Sequence, residues 1–384
     1  MNKNRFSDYF RNPNRTESVL IKRFRSLIAP CSDAPFEAMA QQSVQLTRQH
    51  FGKTMRLFAP LYLSNECVNI CKYCGFSRDN PILRTTLEIQ KVDQEARHLA
   101  SLGFHNLLLV AGEHPKFVSD SYLKECIIQL RATIPSISLE IGPMEREEYL
   151  PLVEAGAEGL VVYQETYHRE IYQEMHPSGP KRDFDWRLDC PERAYEAGFK
   201  RIGIGALIGL APWQEEAIAL ATHAEYLLKN CWRSFLTISL PRLRPAAGEF
   251  EPRYPMNDRE LVQLICALRI TFPQIGLVLS TREPVELRNG LFPLGITHIS
   301  AGSHTEPGGY TGVEKSTLHH TEKGIVKPLI QVDGEILQAT EQFKIADERT
   351  PTEVAALLQS IGLEPVWKDW EECLGHSEEL LSSP

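Results

Sequence analysis

Beyond residue 50 the chain settles into short apolar, β-branched runs separated by segments of helical period. The runs are Phe58–Asn65, Asn106–Ala111, Ile137–Ile141, Gly159–Gln164, Arg201–Ile208, Phe235–Leu240, Gly276–Ser280 and Thr297–Ala301. The clearest segment between them, Thr85–Leu102, puts Val92, Ala96 and Leu99 on one face, as a helix packed on a sheet requires. Thr85 and Glu88 have the spacing of a capping box, and Gly103 stands where a helix would stop. Eight strands with intervening helices and no all-strand stretch predict an α/β fold, a (β/α)8 TIM-type barrel. The last two runs lie so close together that their connecting helix must be short. A helical extension (1–50) precedes the barrel (51–310), and an appendage packed on it (311–384) follows. That appendage carries a helical pattern at Thr352–Ile361, a stop at Gly362, and then Trp367 and Trp370.

A barrel of this kind works at the C-terminal ends of its strands. The polar and glycine-rich residues gather there. Gly112-Glu113-His114 end the second run, Glu140 lies in the third, and Gln164-Glu165-Thr166 end the fourth. Gly203, Gly205 and Gly209 punctuate the fifth, and Arg242 and Arg244 follow the sixth. Ser280-Thr281-Arg282-Glu283 end the seventh, and Ser300, Gly302 and Ser303 the eighth.

Composition narrows the class. Of 384 residues, 42% are hydrophobic and 24% charged, which describes a globular protein able to bury a large core. No apolar run approaches the roughly 20 residues of a membrane span, and the N-terminus lacks a secretory apolar core. The net charge of −9 comes without a basic stripe, so a small-molecule substrate is expected, with no nucleic acid and no membrane. The first 26 residues are basic and read as a solvated helical lead-in. Nine cysteines suit a reducing, cytoplasmic setting.

Cys67, Cys71 and Cys74 follow the first strand, three thiols inside eight residues. Three thiolates hold three irons of a cubane iron–sulfur cluster and leave one iron open, the mark of a site that does chemistry. A zinc knuckle would need a fourth Cys or His close by, and His50 and His98 are distant. A non-catalytic electron-transfer protein would supply four ligands. Cys31, Cys126, Cys190, Cys231 and Cys266 are scattered, as inert thiols are.

The three-then-two spacing, with Tyr73 before the last cysteine, resembles the cluster loop of the radical S-adenosylmethionine (SAM) enzymes. From about residue 46 to 375 the chain is similar to one branch of them, the tyrosine lyases, and within it to the 2-iminoacetate synthases of thiazole (thiamine) biosynthesis. The likeness rests on Pro60–Ser77, Leu107–His114, Tyr163–His168, Trp186–Leu188, Ile204–Leu210, Pro241–Pro245, Ser280–Glu283, Pro307–Tyr310 and Pro365–Trp370. It implies a [4Fe-4S] cluster on the three cysteines and SAM on the open iron. One electron splits SAM to methionine and a 5′-deoxyadenosyl radical, which takes a hydrogen from the amino group of L-tyrosine. The Cα–Cβ bond then breaks to give 2-iminoacetate and 4-cresol. The resemblance further implies Tyr73 by the adenine, Glu113 on the SAM ammonium, Arg187 on its carboxylate, Glu165 at the ribose, and Gly205 and Gly209 beside the adenosyl group. Arg282, assisted by Ser300, is expected to hold the tyrosine carboxylate, with Arg242 and Arg244 as competitors. A thiazole synthase subunit and a flavodoxin or ferredoxin reductant are the implied partners. The rivals are a hydrogenase maturase, which would need further C-terminal cysteines where only Cys373 stands, and a biotin-synthase-like sulfur inserter.

Overall fold

In the computed structural model, residues 5–313, 315–327, 329 and 338–367 are described. Eight parallel strands close into a barrel: β1 (Thr54–Ser64), β3 (Asn106–Ala111), β4 (Ser136–Glu140), β5 (Gly159–Glu165), β6 (Arg201–Ala206), β7 (Phe235–Ser239), β8 (Gly276–Leu279) and β9 (His298–Ser300). Closure comes from β9 pairing with β1 through Arg56↔His298 to Phe58↔Ser300. All eight expected runs are barrel strands, and the helix between the last two, Val285–Leu291, is short. No helix among the described residues is long and apolar enough to cross a membrane.

The intervening helices bury one face each. In the helix Ile89–Ser101, Val92, Ala96 and Leu99 are fully buried against the barrel. This helix starts later than the capping-box spacing predicts. Glu88 is its N-cap, while a short strand β2 (Ile82–Arg84) and the Ser64↔Thr86 bridge draw Thr85 and Thr86 onto the end of β1. The Thr85 amide donates to Asn65 Oδ1 at 2.8 Å, so tertiary pairing outweighs the local cap.

The N-terminal helices are not a solvated lead-in. Phe6 is fully buried, stacks on His223 with ring centroids 4.1 Å apart, and donates its amide to Glu192 at 2.8 Å. Ile21 and Phe24 are buried as well. Basic residues on the other faces masked an apolar stripe in the sequence.

Residues after the barrel return to it twice. The short strand Glu364–Val366 pairs with the start of β1. Because Arg56 pairs with both Val366 and His298, that strand lies on the edge opposite β9, below β3. Upstream of this, residues 340–347 cross the mouth of the barrel as a strap. The Gly75 amide donates to Gln342 O at 3.1 Å, Gln342 N to Thr305 O at 2.9 Å, Lys344 N to Pro245 O at 2.9 Å and Ala346 N to Thr281 O at 2.9 Å. A Cβ on Gly75 would sit 2.4 Å from the Gln342 carbonyl, so glycine there is what lets the strap reach the cysteine loop. Trp370 and Cys373 lie outside the described residues.

Candidate active site

Two cavities meet inside the C-terminal mouth of the barrel. The outer one is lined by Cys67, Cys71 and Cys74 together with Glu113, Glu165, Lys181 and Arg187. The inner one fills the lumen, with Tyr62, Tyr163, Arg282, Ser300 and Phe343 in its wall. Val110, Glu140, Tyr163 and Gln342 line both and form the waist between them.

The three thiols share one cavity wall, but no three His, Cys, Asp or Glu side chains among the described residues converge on a single-ion site. A polynuclear cluster spreads its ligands farther apart than one ion does, so three thiols on one wall that do not converge on a single ion are compatible with a cluster. Burial pushes the thiols of Cys71 and Cys74 up, with Lys181 opposing. Left alone they stay protonated, and bound iron is what would compensate a buried thiolate. Asn69 organises the loop. Its amide donates to Glu113 Oε2 at 2.7 Å and approaches Cys67 Sγ at 3.7 Å, while its Oδ1 accepts from Lys181 N at 2.9 Å. A Cβ on Gly142 would lie 2.7 Å from the Glu113 side chain, so the glycine two residues after β4 is what leaves that carboxylate room.

Glu165 is the strained member of the site. It has φ of 69°, where the register of β5 against β6 shifts, and strain of that kind persists only where surroundings enforce it. Lys181 Nζ donates to Glu165 Oε1 at 2.6 Å, and Arg187 Nη2 reaches the same oxygen at 3.5 Å. Burial alone would raise the Glu165 carboxyl, but Lys181 and Arg187 outweigh it and hold it below the ordinary value. Arg187 Nε is fixed by the Tyr163 carbonyl at 2.7 Å.

Of the other expected cofactor residues, Tyr73 is buried with Met175, Leu207 and Leu210, beside the cavity wall rather than in it. His176 Nδ1 faces the Tyr172 carbonyl at 2.8 Å and must carry a proton there, so Nε2 accepts from the Tyr73 hydroxyl at 2.7 Å. Burial drops His176 to about 3, which keeps it neutral. Gly205 and Gly209 line neither cavity. Gly205 lies under the Tyr163 ring, and Gly209 turns against Leu243 and Pro252.

In the lumen, Arg282 stacks over the Phe343 ring with its guanidinium carbon 3.3 Å from the centroid. No hydrogen bond or ion pair engages that guanidinium among the described residues. Of its two competitors, Arg242 is committed to the Glu283 carboxylate and to Asp258 at 2.8 Å, and Arg244 lines neither cavity. Ser300 Oγ lines the same wall and accepts from the Thr281 amide at 3.2 Å. A fully buried Arg288–Asp347 pair fixes this corner, with Arg288 Nη2 donating to Ser300 O at 2.5 Å.

Sequence reading missed Lys181, Asn69 and Gln342 and attached no role to Glu140. Gln342 joins the two cavities: its Oε1 accepts from the Tyr62 hydroxyl at 2.8 Å, and its Nε2 approaches Cys74 Sγ at 3.9 Å. It stands 268 positions after Cys74, and no local pattern announces such a contact.

A closed parallel barrel whose mouth gathers three thiols is the architecture of the radical SAM superfamily, whose model matches residues 61–221; the model of the Biotin and Thiamin Synthesis associated domain matches 239–364. The protein is thus a radical SAM enzyme, with a [4Fe-4S] cluster and SAM as its cofactors. It is 42% identical to the 2-iminoacetate synthase of Escherichia coli (strain K12) over 357 residues, 93% of this chain and 89% of that protein. The chain belongs to the 2-iminoacetate synthase family. Among solved structures, the FeFe-hydrogenase maturase HydG from Carboxydothermus hydrogenoformans has a TM-score of 0.81 and 34% identity, covering 92% of this chain and 77% of that one. Methylornithine synthase (PylB), with a TM-score of 0.68 and 19% identity, shares the fold.

Proposed function

We propose that this enzyme cleaves the Cα–Cβ bond of L-tyrosine to 2-iminoacetate and 4-cresol, supplying the imine for thiazole formation in thiamine biosynthesis. The observation that carries the reading is Arg282: an unpaired guanidinium in an aromatic-walled lumen that opens onto the three-thiol cavity. An amino acid with a phenolic side chain needs such a cation for its carboxylate and such a wall for its ring.

Cys67, Cys71 and Cys74 would hold three irons and leave the fourth for SAM. When bound, the reduced cluster supplies one electron that splits SAM and yields the hydrogen-abstracting 5′-deoxyadenosyl radical. The chain's own work is placement and shielding. Glu113, steadied by Asn69, receives the SAM ammonium, and Arg187 receives its carboxylate. Glu165, held ionised by Lys181 and Arg187, accepts from the ribose hydroxyls, and Tyr73 supports the loop below the adenine. Arg282 clamps the tyrosine carboxylate with help from Ser300, and the strap closes the lumen against water. Gly205 and Gly209 shape the backbone around this site from behind the cavity walls. A flavodoxin or ferredoxin would supply the electron and a thiazole synthase subunit would take the unstable imine, in the cytoplasm.

The test is the product profile of the reconstituted protein with SAM, ring-deuterated tyrosine and a strong reductant without oxygen. Labelled 4-cresol, 5′-deoxyadenosine and glyoxylate from the hydrolysed imine are expected, without cyanide or carbon monoxide. Deoxyadenosine without labelled cresol would refute tyrosine as the substrate.

A further inference from the structure

Four residues form the waist where the two cavities join: Val110, Glu140, Tyr163 and Gln342. A group of the substrate that is attacked from the outer cavity has to lie against them. Val110 has no polar side-chain atom, and the Gln342 amide, which accepts from Tyr62, is neutral and cannot take up a proton. Burial pushes the phenols of Tyr62 and Tyr163 up, so both stay protonated at neutral pH and neither can take a proton. Glu140 is what remains. No hydrogen bond holds its carboxylate among the described residues, whereas the neighbouring carboxylates are committed, Glu165 to Lys181, Glu113 to Asn69 and Glu283 to Arg242.

We propose that Glu140 holds the amino group of the amino-acid substrate and accepts its excess proton, so that a neutral amine N–H is presented at the waist. The assignment rests on the tyrosine-lyase reading above and names the group that reading lacks. With Arg282 on the carboxylate and Glu140 on the ammonium, the lumen is complementary to a zwitterion, and an acid without the amine loses half of that match. In the transfer, an ammonium N–H bond breaks with its electron pair staying on nitrogen, and the proton forms an O–H bond on the Glu140 carboxylate. No electron is gained or lost, and the pair is neutral overall before and after.

The charges around Glu140 set its proton affinity. Burial lifts the carboxyl to about 7; Arg282, Arg187 and Lys181 pull it down, Glu165 pushes it up, and the phenols of Tyr62 and Tyr163 face it across the lumen. The ammonium of a free amino acid, which its own carboxylate keeps above the roughly 8 of a peptide amino terminus, is lowered by the same burial. The two partners approach each other, which is the condition for a low-cost transfer.

The experiment is competitive binding to the cluster- and SAM-loaded enzyme by anaerobic equilibrium dialysis, tyrosine against 3-(4-hydroxyphenyl)propanoate, which lacks the amine. The native enzyme should prefer tyrosine by roughly tenfold or more. Glu140→Gln should bring the two within about twofold, and Glu140→Asp, which keeps the charge, should restore part of the preference. A native ratio retained in Glu140→Gln would overturn the proposal. Should that variant not load its cofactors, the pH dependence in the native enzyme decides: the preference must fade as pH drops through 7, and a flat ratio overturns it. Failure of the native enzyme to release cresol would instead refute the tyrosine reading, a result this ratio does not touch.

Discussion

In the outer cavity Glu113 bonds Asn69, and Lys181 and Arg187 converge on Glu165; in the lumen Arg282 and Glu140 have no such partners among the described residues. The outer network is assembled in advance, as suits a cofactor that returns at every turnover and must be oriented the same way each time. In the proposal made here, the lumen leaves Arg282 and Glu140 without hydrogen-bond partners because the substrate brings the counter-charges. Leaving a half-buried cation and anion without hydrogen bonds costs stability, and for Arg282 stacking on Phe343 of the strap offsets part of it. On the roles proposed above, pairing separates cofactor-holding from substrate-holding residues more sharply than residue type does.

Substitutions on the two sides should therefore fail differently. The largest effect is expected from Cys71→Ala, which removes one of the three proposed ligands: cluster absorbance, its EPR signal and all turnover should vanish. A full cluster in that variant contradicts the assignment of the thiols. Next comes Arg282→Lys, which keeps charge but loses the planar fork. Tyrosine turnover should fall by one to two decades, on the order of 2–3 kcal/mol of transition-state stabilisation. Arg242→Lys, already bound to Glu283 and Asp258, should change kcat/KM by less than about threefold.

Glu140 offers a test on the cofactor-free protein. Below pH 4.5 its carboxyl is protonated in folded and unfolded chains alike, and its contribution to stability is complete. As pH rises through about 7 the folded chain must ionise a buried group, and that contribution is lost. Glu140→Gln should therefore raise stability at pH 8 by up to about 3 kcal/mol and leave it unchanged near pH 4, read by urea unfolding. Equal effects at both pH values would show that the carboxyl is not buried as described. The smallest effect is expected from Gln342→Leu. Loss of the Tyr62 hydrogen bond costs about 1 kcal/mol, a few-fold in turnover. Loss of the amide near Cys74 should move the cluster to lower potential in an EPR redox titration. An unmoved potential would mean that the 3.9 Å contact carries no hydrogen bond.

The barrel was legible because strand runs such as Leu107–Ala111 and Ile202–Ile208 are continuous and apolar, the pattern of strands buried on both faces. The cysteine loop was legible because its spacing is local. Arg282 could be chosen by its place after a strand, but only the structure distinguishes it from Arg242, which is already paired, and from Arg244, which lines neither cavity. Thr85 was misread as a helix cap because its partner, Asn65, belongs to another element. Phe6 was misread as solvated because its partners, His223 and Glu192, lie far along the chain. Lys181 and Gln342 reach the site on a loop and a strap with no period of their own.

The division between the two cavities is tested most directly by the ratio of 5′-deoxyadenosine to 4-cresol formed by Lys181→Met and by Arg282→Lys. Removing Lys181 loosens the cofactor network around Glu165, so both products should fall together, roughly tenfold, with their ratio unchanged. Arg282→Lys should keep slow SAM cleavage while losing cresol, raising the ratio tenfold or more. A ratio that rises equally in both variants would contradict the separation of a prepaired cofactor cavity from an unpaired substrate lumen.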